Sequence, residues 1–222
     1  MLTSVDAVLF DLDGTLVDTI PLIVACYQHT LLAHVPGYDP GRRVLIGNLG
    51  RSLDDILFDY AQAAGVPDPT STSREMLHTY RAFQRIHLPL LIRPYEGIRE
   101  MLEGLRARGL TLGVVTSKVE WAARETYGRY GLAEFLSVEV FHDDTERHKP
   151  DPEPLLHAAA KAGLDAARTV YVGDAVHDMA AGKAAGMRTI GALWGPSGRE
   201  ELSAAGADEV AETPHDLLRL IG

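Results

Sequence analysis

Two aspartates one residue apart, Asp11 and Asp13, stand directly after the apolar run Val8-Leu9-Phe10. A short apolar run of this kind predicts a buried strand, and Gly14 then allows a tight turn. In open α/β sheets, ligands bind at the carboxyl ends of the strands. Two carboxylates about 4 Å apart repel each other by roughly 4 kcal/mol at an effective dielectric of about 20. The pair therefore predicts a bound cation or a shared proton, and it contains a candidate carboxylate nucleophile.

Hydroxyl side chains follow a second apolar run. Thr116 and Ser117 come directly after the run from Leu112 to Val115. A hydroxyl group and the N–H groups of a strand-to-helix turn can bind a phosphate. Both residues are therefore candidate phosphate ligands, although Thr116 would equally suit the N-cap of the next helix.

A lysine between stiff neighbours is the third candidate. Lys149 lies in the segment His148-Lys149-Pro150-Asp151-Pro152. The prolines restrict the backbone and so fix the direction of the ammonium group. Taken alone, Lys149 is more readily interpreted as a solvated surface residue.

The fourth candidate is an acidic pair after another apolar run. Asp174 follows Gly173, and Asp178 comes four residues later. This spacing places Asp178 one helical turn from Asp174 on the same face. A carboxylate in the first turn of a helix is favourable without any role in a site, so Asp178 is the weakest of these candidates.

The order of the four segments resembles the haloacid dehalogenase superfamily. The resemblance rests on Asp11-Leu12-Asp13-Gly14-Thr15-Leu16, then Thr116, then Lys149-Pro150, then Gly173-Asp174 with Asp178. Asp13 is typical of the phosphatase branch, because dehalogenases lack this second aspartate and phosphonatases carry a different residue there. The stretch Trp194-Gly195 and the tail from Ala207 to Leu217 resemble the phosphoglycolate phosphatase group.

This resemblance implies a role for each acidic residue. Asp11 is the nucleophile that forms an aspartyl-phosphate, which divides one difficult displacement into two easier ones. Asp13 protonates the leaving oxygen and later deprotonates water. Mg²⁺ is the implied cofactor, held by Asp11, by the backbone carbonyl of Asp13 and by Asp174. Asp178 supports these ligands from outside the coordination sphere of the metal.

The resemblance also implies how the phosphoryl group is held. Thr116 binds its oxygens, assisted by the N–H of Ser117. Lys149 neutralises the charge shared by Asp11 and the phosphoryl group, and it is therefore counted among both the catalytic and the phosphate-binding residues.

The elements that must position these residues alternate along the chain. Apolar runs rich in Val, Ile and Leu recur, and helical patterns lie between the later ones. This alternation predicts an α/β fold with a doubly wound, parallel, Rossmann-like sheet. Ala207 to Val210 is expected to add a short edge strand, and Pro214 to Leu220 a last helix.

One interval is too long for an ordinary crossover. About a hundred residues separate the first two predicted strands, where a crossover needs a few tens at most. The excess shows helical stripes and predicts an inserted all-helical domain over 19–92, with the core formed by 1–18 and 93–222. Pro89 and the stretch Pro94 to Gly97 are expected to form the return linker. The insert resembles the C1-type cap of the superfamily and is well placed to act as a lid.

The cap is expected to select the substrate. Its loop from Gly47 to Ser52 is the best candidate, with Arg51 and Asn48 as specificity residues. Arg51 could pair with a carboxylate or a second phosphate on the leaving group.

Composition limits the class of partner. The 222 residues carry a formal net charge of −10, which argues against a nucleic-acid-binding face. The single cysteine, Cys26, excludes an intrachain disulfide and fits a reducing compartment. Neither a signal peptide nor a membrane span is recognisable. We expect a cytoplasmic monomer or homodimer that acts on a small phosphorylated metabolite.

Three functions remain in competition. The leading hypothesis is an Mg²⁺-dependent phosphatase for a small phosphomonoester, with 2-phosphoglycolate as the first substrate and pyrophosphate and sugar phosphates next. A phosphotransferase isomerase of the β-phosphoglucomutase type is second, but such enzymes tend to have valine where Thr15 stands and a cap histidine soon after. A non-catalytic binding module is third, and the presence of Asp11, Asp13, Lys149 and Asp174 opposes it.

Overall fold

The computed structural model describes residues 2, 4–48 and 51–222. Eight strands are present in this part of the chain, six of them in one parallel sheet and two in a small antiparallel pair. The strands are β1 (Ala7–Phe10), β2 (Val17–Asp18), β3 (Arg93–Pro94), β4 (Thr111–Val115), β5 (Val138–Val140), β6 (Thr169–Gly173), β7 (Arg188–Ala192) and β8 (Glu209–Ala211).

The strand order places β1 at the point where the chain changes direction across the sheet. The order is β5-β4-β1-β6-β7-β8, so β1 pairs with β4 on one side and with β6 on the other. Phe10, the last residue of β1, is in register with Val114 of β4 and Val172 of β6. The carboxyl ends of three neighbouring strands therefore meet at a topological switch point, where open α/β sheets bind ligands.

Helices cover both faces of this sheet, as the alternating pattern predicts. The helices of the core are α5 (Ile98–Ala107), α6 (Glu120–Gly128), α7 (Glu153–Ala162), α8 (Val176–Ala184), α9 (Arg199–Ala204) and α10 (Leu217–Leu220). Successive side chains of β1 pack into two separate apolar clusters: Val8 and Phe10 belong to one cluster, and Leu9 belongs to the other. The predicted α/β fold is confirmed, and α9 is an addition to it.

The long interval after β1 is helical. It contains α1 (Ile20–His34), α2 (Arg42–Gly47), α3 (Leu53–Ala63) and α4 (Pro69–Leu91), and β2 pairs with β3 where the chain leaves the sheet region and returns to it. The α4 helix packs against both α1 and α3. Asp68 caps its N-terminus, because the carboxylate accepts a hydrogen bond from Ser71 N at 3.0 Å.

Two expectations for this region need correction. Pro89 lies inside α4, near its C-terminus, and not in a return linker. A proline removes only one backbone donor, and near the end of a long helix with tertiary support this loss is tolerated. Gly47, expected to begin a loop, is instead the last residue of α2, in which Leu45 is the buried residue. The division into 1–18 with 93–222 and 19–92 stays a prediction.

In the described part of the chain, the helices are all too short or too polar to cross a membrane.

Candidate active site

The turn after β1 is fixed by its own backbone. Asp11 N donates to Val172 O of β6 at 2.9 Å, which continues the sheet pairing into the site. Gly14 has a φ of +89°, and its N–H donates to Val17 O at 2.9 Å. Few residues other than glycine adopt this φ, so Gly14 is required for the tight return of the chain. The turn holds both Asp11 and Asp13 at the carboxyl edge of the sheet.

Lys149 is buried beside two carboxylates. Its Nζ donates to Asp11 Oδ1 at 2.8 Å and to Asp178 Oδ1 at 2.6 Å. Tyr171 holds the ammonium from a third side, with 3.0 Å between Lys149 Nζ and the hydroxyl oxygen, and the hydroxyl itself donates to Val115 O at 3.0 Å. The interpretation of Lys149 as a solvated surface lysine is therefore wrong.

Asp174 completes a cluster of three buried carboxylates. Oxygen atoms of Asp11, Asp174 and Asp178 lie within 4.8 Å of one another. Thr15 Oγ1 donates to Asp174 Oδ1 at 2.5 Å, and Ala175 N donates to Asp178 Oδ2 at 3.0 Å. Asp174 Oδ2 is buried, and among the described residues it has no hydrogen-bond partner. A buried carboxylate oxygen without a hydrogen-bond donor costs free energy, so this atom is available to bind a cation.

The electrostatics of the cluster show an excess of negative charge. Burial raises the pKa of Asp11 to about 7, even though Lys149 opposes the rise, and the Asp178 charge adds to it. Burial and the charges of Asp178 and Asp11 also raise the pKa of Asp174 well above its usual range. Burial lowers the pKa of Lys149, but the Asp11 and Asp178 carboxylates outweigh it, so that the pKa lies well above its ordinary value. Three carboxylates thus face one ammonium group.

These residues fit a divalent cation. Carboxylate oxygens are the ligands that Mg²⁺ prefers, and Asp174 Oδ2 is an available one. Two glycines pack closely against Asp174, and a Cβ on Gly14 or on Gly195 would collide with its side chain. The third carboxylate beside Asp11 and Asp174 is Asp178. The side chain of Asp13 is directed elsewhere.

Asp13 pairs with a residue that sequence reasoning missed. The ammonium group of Lys118 forms an ion pair with Asp13 Oδ1, and the two side chains are 6% and 16% exposed. Lys118 was visible only as the residue after Thr116-Ser117, and the sequence does not show that its side chain crosses to the β1 turn. The pair places the Asp13 carboxyl group in the cleft, apart from the carboxylate cluster.

The turn after β4 supplies the predicted phosphate-binding residues. Thr116 and Ser117 line the same cleft as Asp11 and Asp13. Thr116 Oγ1 accepts a hydrogen bond from Lys118 N at 3.2 Å. The N-cap of α6 is Val119, so the alternative role of Thr116 as a helix cap is wrong.

Residues of the helical segment 19–92 also line the cleft, which contains about 690 Å³ of space free of protein atoms, including space open to solvent. Asn48 and Arg51 line it, as the sequence predicts. However, Arg51 donates to Asp59 Oδ2 at 2.7 Å and to Asn48 Oδ1 at 2.8 Å, so its charge is already paired. Leu49 and Gly50 of the predicted specificity loop lie outside the described residues. Arg81 and Gln84 of α4 also line the cleft, and sequence reasoning did not identify them.

Comparison with known proteins places this fold and site in a family. Residues 8–192 match the sequence model of the haloacid dehalogenase-like hydrolases. Pyrophosphatase PpaX from Bacillus pumilus (strain SAFR-032) is 37% identical over 220 residues, which span 99% of this chain and 98% of the relative. N-acetylmuramic acid 6-phosphate phosphatase from Pseudomonas aeruginosa (strain PAO1) is 35% identical over 218 residues, which span 97% of this chain and 94% of the relative.

A solved structure supports the same assignment of the fold. The crystal structure of a protein from Haemophilus somnus 129pt, described as a predicted phosphoglycolate phosphatase, superposes with a TM-score of 0.86 at 22% identity and covers 99% of both chains. The chain therefore belongs to the haloacid dehalogenase-like hydrolase family, and within it to the phosphatases.

Proposed function

We propose that this protein is an Mg²⁺-dependent phosphatase that hydrolyses a small phosphorylated metabolite through an aspartyl-phosphate on Asp11. The observation that carries the proposal is the convergence of Asp11, Lys149 and Asp174 from three separate segments of the chain, with Asp11 also lining a cleft beside Asp13 and Thr116. This cluster differs from an ordinary surface ion pair, because it is buried and its carboxylates outnumber its cations.

The metal would be held by Asp11, by the backbone carbonyl of Asp13 and by Asp174. Bound there, Mg²⁺ supplies positive charge that offsets both the carboxylates and the phosphoryl oxygens. Asp178 has a second role, because it shares Lys149 with Asp11 and so fixes the ammonium group from the far side. The proximity of Asp178 to the other two carboxylates makes it a further possible ligand.

The phosphoryl group is bound by residues of the sheet edge. Thr116 Oγ1 and the N–H of Ser117 donate to its oxygens, and Lys149 offsets the charge that it shares with Asp11. Burial of Lys149 makes this charge effective, since water does not screen it.

Two displacements follow. In the first, an oxygen of the Asp11 carboxylate forms a bond to phosphorus while the bond to the leaving oxygen breaks, and Asp13 gives its proton to that oxygen. In the second, Asp13 takes a proton from water, the water oxygen attacks phosphorus, and the bond to Asp11 breaks to release phosphate. Lys118 contacts Asp13 Oδ1, and this contact orients the Asp13 carboxyl group, which must carry a proton in the first displacement and accept one in the second.

The helical segment 19–92 serves as the cap over the core formed by 1–18 and 93–222. Support comes from β2 and β3, which pair at the two crossing points, and from the cleft, which has walls from both parts. A cap in this position excludes water while the aspartyl-phosphate forms and readmits it for hydrolysis. Cytoplasmic location and a monomeric or homodimeric state stay predictions.

A second candidate activity is the hydrolysis of inorganic pyrophosphate. It is favoured by the similarity to Pyrophosphatase PpaX, which is 37% identical and spans nearly the whole chain. The same residues would carry it, because attack of Asp11 on one phosphorus expels phosphate in place of an alkoxide.

Phosphate release from a panel of substrates tests both activities. The panel contains 2-phosphoglycolate, pyrophosphate, N-acetylmuramic acid 6-phosphate and β-glucose 1-phosphate, each with Mg²⁺ and with EDTA. We expect turnover that requires Mg²⁺, no turnover by Asp11→Asn, and a phosphorylated protein detectable by mass spectrometry in Asp13→Asn. Turnover by Asp11→Asn would refute the nucleophile. Isomerisation of glucose 1-phosphate without phosphate release would favour the mutase, and inactivity on every substrate would favour a binding module.

A further inference from the structure

Arg81 presents an uncompensated positive charge to the active cleft. It stands on α4, in the wall opposite Asp11 and Asp13. Its Nε is buried, and it has no hydrogen-bond partner among the described residues. No carboxylate of the described residues lies within 4.0 Å of the Arg81 guanidinium. By contrast, Arg51 forms an ion pair with Asp59, and Lys118 forms one with Asp13. Burying one face of a guanidinium without an acceptor costs free energy, which a ligand can recover.

A polar neighbour points to the same ligand chemistry. Gln84 lies three residues after Arg81 and lines the same cleft, so the two side chains share one face of α4. Gln84 is only 5% exposed, and its side chain has no hydrogen bond with another described residue. An amide and a guanidinium together offer several N–H donors and match an oxyanion.

We propose that Arg81 and Gln84 form a subsite that binds a second anionic group on the leaving part of the substrate. This inference rests on the proposed function, since it assigns the reacting phosphoryl group to the sheet edge. The second anion is a carboxylate or a phosphoryl group, because either oxyanion satisfies the same donors. Arg51, the residue that the sequence suggests for this task, instead donates hydrogen bonds to Asn48 and Asp59.

The test compares substrates that differ only in this group. 2-Phosphoglycolate carries a carboxylate, 2-hydroxyethyl phosphate of similar size carries a neutral hydroxyl, and pyrophosphate carries a phosphoryl group. Each is assayed with the wild-type protein, Arg81→Met, Gln84→Leu and the matched control Arg85→Met. Arg85 is one turn along the same helix, and its guanidinium stacks on Trp121 at 4.1 Å.

We expect Arg81→Met to lower kcat/KM about tenfold to a hundredfold on the preferred anionic substrate, mainly through KM, as loss of a charged hydrogen bond predicts. Hydrolysis of 2-hydroxyethyl phosphate and every activity of Arg85→Met should change less than about threefold. If kcat/KM of Arg81→Met falls only for 2-phosphoglycolate, the second anionic group is a carboxylate. If it falls only for pyrophosphate, that group is a phosphoryl group.

Two results would overturn the subsite and are distinguishable from each other. The subsite alone is wrong if the wild-type protein is active and Arg81→Met loses the same fraction of activity on the neutral and the anionic substrates. The same holds if Arg81→Met loses activity on none of them. If the wild-type protein releases phosphate from none of the three, the proposed function fails and the subsite with it. Circular dichroism of Arg81→Met establishes that a loss is not due to unfolding.

Discussion

Replacing Asp174 with asparagine should stabilise the metal-free protein at alkaline pH, although it removes a proposed metal ligand. Asp174 is only 1% exposed and shares the site with Asp11 and Asp178, with oxygen atoms within 4.8 Å. At that separation each pair of ionised carboxylates repels by roughly 3 kcal/mol at an effective dielectric of about 20. Lys149 offsets Asp11 and Asp178 through direct contacts, but in the described structure it forms no hydrogen bond with Asp174.

The sign of the effect depends on pH. A carboxyl group whose pKa is raised in the folded state binds its proton more tightly there, so the folded state loses stability as the pH rises from the unfolded to the folded pKa. For Asp11 the rise from 3.8 to about 7 corresponds to roughly 4 kcal/mol, lost between pH 4 and pH 7. The shift at Asp174 has the same sign and the same principal cause, which is burial.

Asparagine removes this cost because it is neutral at every pH. Its carbonyl oxygen can still accept the hydrogen bond from Thr15 Oγ1. Its amide nitrogen would replace Oδ2, and a buried donor without an acceptor costs about 1–3 kcal/mol. Because relief of roughly 3 kcal/mol of repulsion for each neighbouring ionised carboxylate exceeds this cost, we expect Asp174→Asn to be more stable than the wild-type protein at pH 8. The difference should vanish or reverse at pH 5, where the wild-type cluster is already partly protonated.

Urea unfolding in EDTA measures this difference. Trp194 is a suitable fluorescent probe, since its Nε1 donates to Thr15 O at 2.8 Å beside the site. Asp55→Asn is a matched control, because Asp55 is exposed and outside the carboxylate cluster. Added Mg²⁺ should stabilise the wild-type protein by about 2.7 kcal/mol at a hundred times Kd, and Asp174→Asn by much less. A variant that is less stable than the wild-type protein at pH 8 in EDTA would refute the reasoning.

Three further predictions concern the same site. Mg²⁺ affinity, measured by calorimetry, should fall when the pH is lowered from 8 to 6, because protons compete for Asp11, whose pKa is about 7 without metal; equal affinity at both values would contradict this. Tyr171→Phe removes the hydroxyl that contacts Lys149 and Val115 O, and it should cost about 1–2 kcal/mol in urea unfolding and lower kcat. Gly14→Ala should abolish Mg²⁺ binding, since its Cβ collides with Asp174, whereas Gly109→Ala at a similar φ of +80° meets no atom within 4 Å and should bind Mg²⁺ normally.

The sequence was sufficient for the main architecture because its patterns are local. Each central strand is a short apolar run, and a helix such as α5 shows a clear apolar stripe, formed by Ile98, Met101, Leu102 and Leu105. The α2 and α9 helices, each six residues long with one buried leucine, Leu45 or Leu202, were not predicted, because neither is long enough to repeat an apolar stripe. Pro89 was misplaced because a proline usually marks the end of a helix, whereas here tertiary packing carries α4 two residues further.

The candidate site was predictable for a different reason. Parallel strands place all their carboxyl ends on one edge, so polar residues after successive strands must converge whatever the lengths between them. Long side chains are not fixed in this way. The direction of Lys118 toward Asp13, and the pairing of Arg51 with Asp59, depend on rotamers and neighbours that spacing does not determine. Arg81 is recognised as a candidate ligand-binding residue only in the structure, where its buried Nε has no hydrogen-bond partner among the described residues.

Two charged groups at the site lack a hydrogen-bond partner among the described residues, Asp174 at Oδ2 and Arg81 at Nε, and we infer that they divide chemistry from substrate choice. On the core side, three carboxylates exceed one ammonium group and call for a cation before an anionic phosphate can approach. On the cap side, the guanidinium of Arg81 is without a carboxylate among the described residues and can receive an anion that takes no part in the displacement. Relatives named for pyrophosphate and for a sugar acid phosphate resemble this chain almost equally, at 37% and 35% identity. Overall identity therefore does not choose between their substrates, and we expect the choice to depend on the few side chains of segment 19–92 that line the cleft. A change confined to Arg81 and Gln84 should alter which phosphate ester is hydrolysed while the chemistry at Asp11 continues.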